Sequence, residues 1–250
     1  MNVLVDISLL KYAKTLAYAG FTVGLYDSKS YSAFDVFDTF RPDMYIGNTS
    51  NVPTSLFKAI KEKPHMKLGF FLQGIKDNNF IEMQKEGIEP EFILDLQDEP
   101  VADILLYYKG EVKPEFQCDV VVAERFINID LPNIPTCYTL RIFSPNLVYH
   151  INYCGNIQED NVKHLYASSK VSLCYPENML NCIVAGGYPL PIDSSEEDIV
   201  KAIESVNNKE DLLKHALQRT TFHICSEIMQ KFGLVNESEK IMETFKGLVK

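Results

Sequence analysis

Short apolar bursts along this chain alternate with amphipathic stretches of helical spacing. Asn2 to Ile7 is the first burst and predicts a strand. Leu9 to Ala19 repeats at helical intervals, with Leu9, Leu10, Ala13, Leu16 and Ala17 on one side, and Gly20 ends it. Phe21 to Tyr26 predicts the next strand. Ser32 to Phe40 predicts a helix with Phe34, Phe37 and Phe40 on one face, and Pro42 leads into a strand at Met44-Tyr45-Ile46. Ser50 to Lys61 predicts a helix with an Asn or Ser cap, and Lys67 to Leu72 a strand. Gly74 to Pro90 is polar and reads as a loop with a short helix. Phe92 to Leu96 and Glu99 to Tyr108 then predict a strand and a helix. Strands alternating with helices of this length imply βαβ units and a mainly parallel sheet.

The second half continues the alternation. Gln117 to Ala123 is a continuous apolar strand, and Ile134 to Ser144 and Leu147 to Tyr153 are the next strand candidates. Val171 to Tyr175 and Tyr188 to Ile192 are short apolar runs. Between them Glu177 to Val184 predicts a helix stopped by Gly186-Gly187, where glycine supplies the left-handed helix end. Ser194 is the expected cap of a helix over Glu196 to Val206, with acids in its first turn. Lys209 to Phe232 predicts one long helix and Ser238 to Leu248 another. There is no internal repeat, low-complexity tract or Gly/Pro linker. The least structured stretch lies near Lys109 to Pro114, which sets the expected lobes at residues 1–112 and 113–250, the second carrying the C-terminal helices.

One stretch carries a family likeness. From Tyr153 to Asp193 the order is strand, glycine (Gly155), polar helix ending in Leu165-Tyr166-Ala167-Ser168-Ser169-Lys170, strand Val171 to Leu173, loop, then Asn181-Cys182-Ile183-Val184-Ala185-Gly186-Gly187-Tyr188-Pro189. This resembles the nucleotide-sugar half of GT-B glycosyltransferases of the group-1 and spore-maturation type. Elsewhere the likeness is one of layout. The resemblance implies an α/β fold of two Rossmann-like lobes in a compact version, in which the final helix often crosses back to the N-terminal lobe. It implies metal-independent transfer of a sugar from a nucleotide diphosphate to an acceptor hydroxyl, with no cofactor. The chain departs from the family in two places. The glutamate that grips the donor ribose aligns with Asn181, a weaker acceptor, with Glu177 one helical turn earlier. The first loop also lacks the glycine-rich turn common in this fold.

Composition narrows the picture. At 250 residues, 46% apolar and 23% charged, the chain suits one large globular domain or two small ones. No apolar run approaches the ~20 residues that span a bilayer. The start, MNVLVD, has no basic leader, which fits a cytoplasmic protein. The six cysteines form no CxxC pair and read as reduced thiols. The histidines are dispersed, so no metal site is expected. A net charge of −10 argues against a broadly basic nucleic-acid surface.

The candidate chemistry sits at strand ends. Arg125 follows the apolar strand Val120 to Ala123, where such folds keep a phosphate-binding cation, and Arg141 is a second candidate. The helix N-terminus at Glu177-Asn178-Met179 offers N–H groups to phosphate. With Gly155, Asn156, Asn181 and Gly187 these form the donor side. On the acceptor side Asp6, Ser8, Asn48 and Gln73 lie at strand ends expected to face the cleft between lobes. Asp6 is the one acid so placed that can act as base in an inverting reaction. The bland readings are a first-turn acid for Glu177, a helix stop for Gly187, a turn for Gly155 and a helix cap for Asp6. The partner is a nucleotide sugar, and the acceptor is left open among a glycan, a small molecule, a protein and modified DNA, since compact phage enzymes that decorate hydroxymethylated bases share this fold. Two further readings stand beside transfer: a non-catalytic nucleotide-sugar-binding or interaction module, and an unrelated tandem of flavodoxin-like domains.

Overall fold

The computed structural model describes residues 1–49, 54–72, 78–95, 100–127, 130–205 and 209–250. These form two compact units, residues 1–99 with 221–250, and residues 100–220. The expected division at 112/113 and these units partition the chain differently. The stretch from 100 to 112 belongs with the second unit, and the last two helices belong with the first.

In the first unit β1 (Asn2–Asp6), β2 (Thr22–Tyr26), β3 (Met44–Asn48), β4 (Lys67–Leu72) and β5 (Phe92–Asp95) alternate with α1 (Leu10–Tyr18), α2 (Ala33–Phe40), α3 (Thr54–Lys61) and α4 (Asn78–Lys85). The strands pair in parallel in the order β2-β1-β3-β4-β5. On one face Tyr26, Tyr45 and Phe70 meet edge to face and pack with Leu4, Phe37 and Phe57. Gly69 makes room for such rings, since a Cβ there would lie 2.2 Å from the Phe92 ring.

α1 buries Leu9's neighbours Tyr12, Ala13, Thr15 and Leu16, while the expected core residues Leu10 and Ala17 are exposed. The reason is long-range. α10 (Thr221–Lys231) and α11 (Val235–Leu248) return to the first unit and cover that face. The Thr15 hydroxyl meets that of Thr221 at 2.7 Å, and Cys225 Sγ donates to the Tyr12 carbonyl at 3.7 Å. The expected Ser50 cap and Glu99 helix start lie outside the described residues.

The second unit contains α5 (Ile104–Tyr107), β6 (Cys118–Ala123), β7 (Leu140–Phe143), β8 (Tyr153–Gly155), α6 (Glu159–Ser168), β9 (Ser169–Cys174), α7 (Pro176–Ala185), β10 (Pro189–Pro191), α8 (Glu196–Glu204) and α9 (Lys209–Leu217). Its strands are also parallel, in the order β10-β9-β6-β7-β8. The apolar run Val120 to Ala123 of β6 has a simple cause: both faces of a central parallel strand are covered. Val120 and Val122 pack with Ile142, Leu173 and Ile199 on one side, and Val121 packs with Leu165, Tyr166 and Cys182 on the other. The protein is therefore α/β, with two Rossmann-like lobes.

Four expectations are corrected here. The long helix over Lys209 to Phe232 is two helices, because Arg219 and Thr220 between them pair with Ala102, whose N–H donates to the Arg219 carbonyl at 2.8 Å. The same pairing leaves Ala102 extended, so the helix expected before Tyr108 is only the turn α5. Leu147 to Tyr153 is a loop, with Tyr149 and Ile151 each 95% exposed, and the strand there begins only at Tyr153. Ser195, not Ser194, caps α8, accepting the Asp198 N–H at 3.2 Å.

Candidate functional site

In the second unit the chain steps outward from β6 to β7 to β8, then returns to the other side of β6 as β9. The loops after β6 and β9 therefore diverge, and in doubly wound sheets ligands bind in the crevice this opens. Glu124, the first residue beyond β6, occupies it and is 4% exposed. Its Oε1 accepts the Tyr175 N–H at 2.9 Å, and its Oε2 accepts the Asn178 side-chain amide at 2.7 Å. Tyr175 is the N-cap residue of α7, so this carboxylate joins the β6 loop to the start of that helix. Burial pushes the Glu124 carboxyl up to about 7. The two hydrogen bonds oppose the rise, and the Glu177 charge adds to it.

Beside Glu124 lies a cavity of about 560 Å³ lined by Arg125, Ser144, Asn156 and Asn178, with Tyr107 and Tyr166 as an aromatic wall. Its size is that of a small-ligand site. Three strand-end turns are tied together around it. The Arg125 carbonyl accepts Ser144 Oγ at 3.2 Å and Asn146 Nδ2 at 2.7 Å, and the Ser144 N–H donates to the Gly155 carbonyl at 3.1 Å. These bonds hold the Arg125 backbone while its guanidinium, 5.6 Å from the Phe126 ring, stays exposed. Gly155 turns with φ +95°, and Asn156 after it reaches the cavity.

The candidate donor residues thus divide. Arg125, Asn156 and Asn178 line one cavity, and Gly155 shapes its rim. Glu177 is exposed on the first turn of α7 and does not line it. Asn181 is 9% exposed and works inside the fold: its Oδ1 accepts the Asp103 N–H at 2.9 Å, and its Nδ2 reaches Asn178 Oδ1 at 3.4 Å. Gly187 is packed, since a Cβ there would stand 2.5 Å from Cys182 Sγ. The helix stop itself is Gly186, at φ +94°. Arg141 donates to the Glu115 carbonyl, away from the cavity.

The first unit repeats the arrangement at its own switch point, between β1 and β3. Asp6, 2% exposed, caps a 3-10 turn over Ile7–Leu9 by accepting the Ser8 N–H at 2.9 Å, and it also accepts the Ser8 hydroxyl. Asn48 Nδ2 donates to Ser8 Oγ at 3.1 Å. Three of the acceptor-side residues therefore form one chain of hydrogen bonds; Gln73 lies outside the described residues. Burial raises the Asp6 carboxyl, the Ser8 bonds oppose it, and Asp27 adds to the rise. A small cavity of about 250 Å³ opens here between Asp6, Asp27 and Lys29.

Other features carry less chemistry. A larger depression of about 840 Å³ is lined by α8 residues, Glu196, Glu197, Lys201 and Glu204, and by Pro135 rather than by strand ends. Among the described residues no three His, Cys, Asp or Glu side chains are grouped to hold a metal ion, and no helix is long and apolar enough to cross a membrane. All six cysteines are free, four of them buried, with Cys137 and Cys154 exposed.

Sequence reasoning missed Glu124 and Ser144. Both directly follow a strand, as Arg125 nearly does, and that position was the available signal.

No family model and no curated protein matches the chain in sequence. Among solved structures it is similar to a UDP-GlcNAc 2-epimerase from Neisseria meningitidis bound to UDP-GlcNAc. That match is at 12% identity over 99% of this chain and 100% of that one, with a TM-score of 0.42. A Listeria monocytogenes protein assigned as a UDP-N-acetylglucosamine 2-epimerase matches at 10% identity over 96% of this chain and 90% of that one, TM-score 0.41. A Burkholderia pseudomallei protein assigned to pilus assembly matches at 18% identity over 38% of this chain and 76% of that one, TM-score 0.27.

Proposed function

We propose that the chain is a nucleotide-sugar-handling enzyme, a glycosyltransferase that takes the diphosphate of its donor into the cavity of the second unit. One observation carries this reading. A ligand-sized cavity opens at the carboxyl ends of β6, β7 and β8, beside the sheet's switch point, with an exposed arginine on its wall. In this reading the Arg125 guanidinium pairs with phosphate oxygens, a geometry to which its planar fork is suited. Asn156 and Asn178 supply neutral amides to ribose or sugar hydroxyls. The acceptor oxygen attacks the anomeric carbon, the bond to the diphosphate breaks, and a base takes the acceptor's proton. Asp6 is the base this reading assigns for an inverting reaction. Its raised affinity for a proton suits the task, while Ser8 and Asn48 would orient it.

A second reading is favoured by Asn181. The position that grips ribose in the resembled family is spent here on the Asp103 N–H, which fits a module that binds a nucleotide sugar without turnover.

A thermal-shift screen of the full chain against UDP, GDP, ADP and their sugar conjugates tests both. A ligand that binds only the folded state raises the midpoint by mass action. A shift accompanied by slow release of free sugar supports the enzyme, and a shift without release supports the module. No shift with any of these compounds refutes both.

A further inference from the structure

We propose that Glu124 decides the charge state in which the cavity accepts its ligand: an anionic group enters beside it only when Glu124 carries a proton, so binding takes up that proton from solution. The proposal rests on the reading that a nucleotide diphosphate enters this cavity.

The geometry supplies the reason. The start of α7 at a switch point is where a doubly wound sheet ordinarily receives phosphate, because N–H groups and the helix dipole point there. In this chain that place holds a protein anion. The Glu124 carboxylate takes the Tyr175 N–H and the Asn178 amide, and Pro176 contributes no N–H. Glu177 adds a second negative charge on the same turn. An incoming phosphate therefore meets a buried carboxylate on the wall of its own cavity, and two unscreened negative charges at contact distance exclude one another. Protonation removes the repulsion and converts one carboxylate oxygen into a donor that a phosphate oxygen can accept from.

The other groups facing Glu124 do not offer an alternative. From α5 and α6 come Tyr107 and Tyr166, whose hydroxyls burial holds above their ordinary range. Cys174 of β9 is likewise held protonated, and among the described residues Arg125 and Glu159 are the remaining charged groups of the wall. His150 and His164 belong to the same unit but do not line the cavity. Burial already raises the Glu124 carboxyl to about 7, so its proton is exchangeable at neutral pH.

The test measures dissociation constants of the full chain for UDP-glucose, GDP-mannose and ADP-glucose at pH 6 and pH 8, where the diphosphate of these probes keeps a constant charge. Apparent affinity scales with the protonated fraction, so wild type should bind about tenfold more weakly at pH 8 than at pH 6. Glu124→Gln should bind equally well at both, with an affinity at pH 8 matching that of wild type at pH 6. Asn178→Ala removes a hydrogen bond that favours the ionised carboxyl, and should move the fall in affinity to higher pH. This second variant keeps the test decisive if the first does not fold. Equal wild-type affinity at the two pH values overturns the proposal. So does a folded Glu124→Gln that binds at neither pH, since Glu124 would then be an ionised acceptor for ligand hydroxyls. Absence of binding by every protein at every pH removes the cavity reading itself, a result distinct from binding without pH dependence.

Discussion

Replacing Glu124 by Gln should change the pH dependence of folding stability, with no ligand present. In the folded chain this carboxyl titrates at about 7 against 4.5 for the free group. Between those values the native state keeps a proton that the unfolded chain has released. The unfolded state therefore binds fewer protons, and stability falls as pH rises through this window. The full contribution is present below pH 4.5 and lost above 7. A shift of this size is worth about 3 kcal/mol at ~1.4 kcal/mol per pH unit, and because the residue is 4% exposed, solvent screening reduces it little. Glutamine has no such titration. It keeps the acceptor for the Tyr175 N–H but presents an amide to the Asn178 amide, a loss of about 1 kcal/mol that does not vary with pH. The difference between wild type and variant should thus move by about 2–3 kcal/mol between pH 5 and pH 8, in favour of the variant at pH 8. Urea unfolding of both full-length proteins at the two pH values reads this directly, since every other titrating group cancels in the comparison. A difference that stays constant within error would show that Glu124 ionises as readily folded as unfolded, and would refute the reasoning.

Arg125→Ala should weaken nucleotide diphosphate binding by about tenfold or more with an unchanged melting midpoint, because its side chain is exposed and its backbone is held by Ser144 and Asn146. Titration calorimetry checks it, and the parallel Glu177→Ala, outside the cavity lining and removing a negative charge from that turn, should not weaken binding. Asn181→Ala should destabilise the second unit by about 1–3 kcal/mol, because the buried Asp103 N–H loses its acceptor; denaturant unfolding measures this. Gly110→Ala should destabilise by about 2 kcal/mol or more, since a Cβ there would stand 2.0 Å from the Lys163 carbonyl oxygen, a backbone atom with nowhere to retreat. Asp6→Asn should abolish sugar transfer in the presence of donor and acceptor while leaving donor affinity unchanged, which a radiolabelled-transfer assay and a binding assay would separate.

The alternation of apolar runs and amphipathic stretches located most of the strands correctly, because burial on both faces of a parallel strand leaves a local mark, as in Cys118–Ala123. Where local pattern misled, a distant partner was responsible. Leu10 and Ala17 share the expected apolar stripe of α1, yet Thr15 and Tyr12 are buried instead, because α10 arrives from about two hundred residues away to cover them. Ala102 does the same to the helix expected across Arg219 and Thr220. The loop from Leu147 to Tyr153 misled for the opposite reason. Leu147, Tyr149 and Ile151 in it are exposed, and an apolar residue on the surface leaves the same letter in the sequence as one in the core.

The site shows where such reading stops. Each parallel strand of a doubly wound sheet ends in a loop, and the sequence marks all these ends alike; Asp6, Asn48, Arg125 and Asn156 qualify on equal terms. Strand order separates them, and strand order is set by non-local pairing. Only when β9 is found on the far side of β6, and β3 on the far side of β1, do two of the ends become crevices. Both crevices then prove to hold a carboxylate at the end of a strand that borders the switch point, Asp6 in one unit and Glu124 in the other, each buried and each met by hydrogen bonds from the opposite loop or its own turn. Burial raises both, so each holds its proton more firmly than a surface acid would. The difference lies in their bonds. Ser8 spends an N–H and a hydroxyl on Asp6, both from the same short turn, and the Asn48 amide ties that Ser8 hydroxyl to the end of β3. Glu124 instead ties two separate loops together, so its ionisation state bears on the shape of the crevice as well as its charge. A change in the ionisation of Glu124 therefore bears on the anchorage of α7, whereas one at Asp6 bears on the Ile7–Leu9 turn and, through Ser8, on Asn48 at the end of β3.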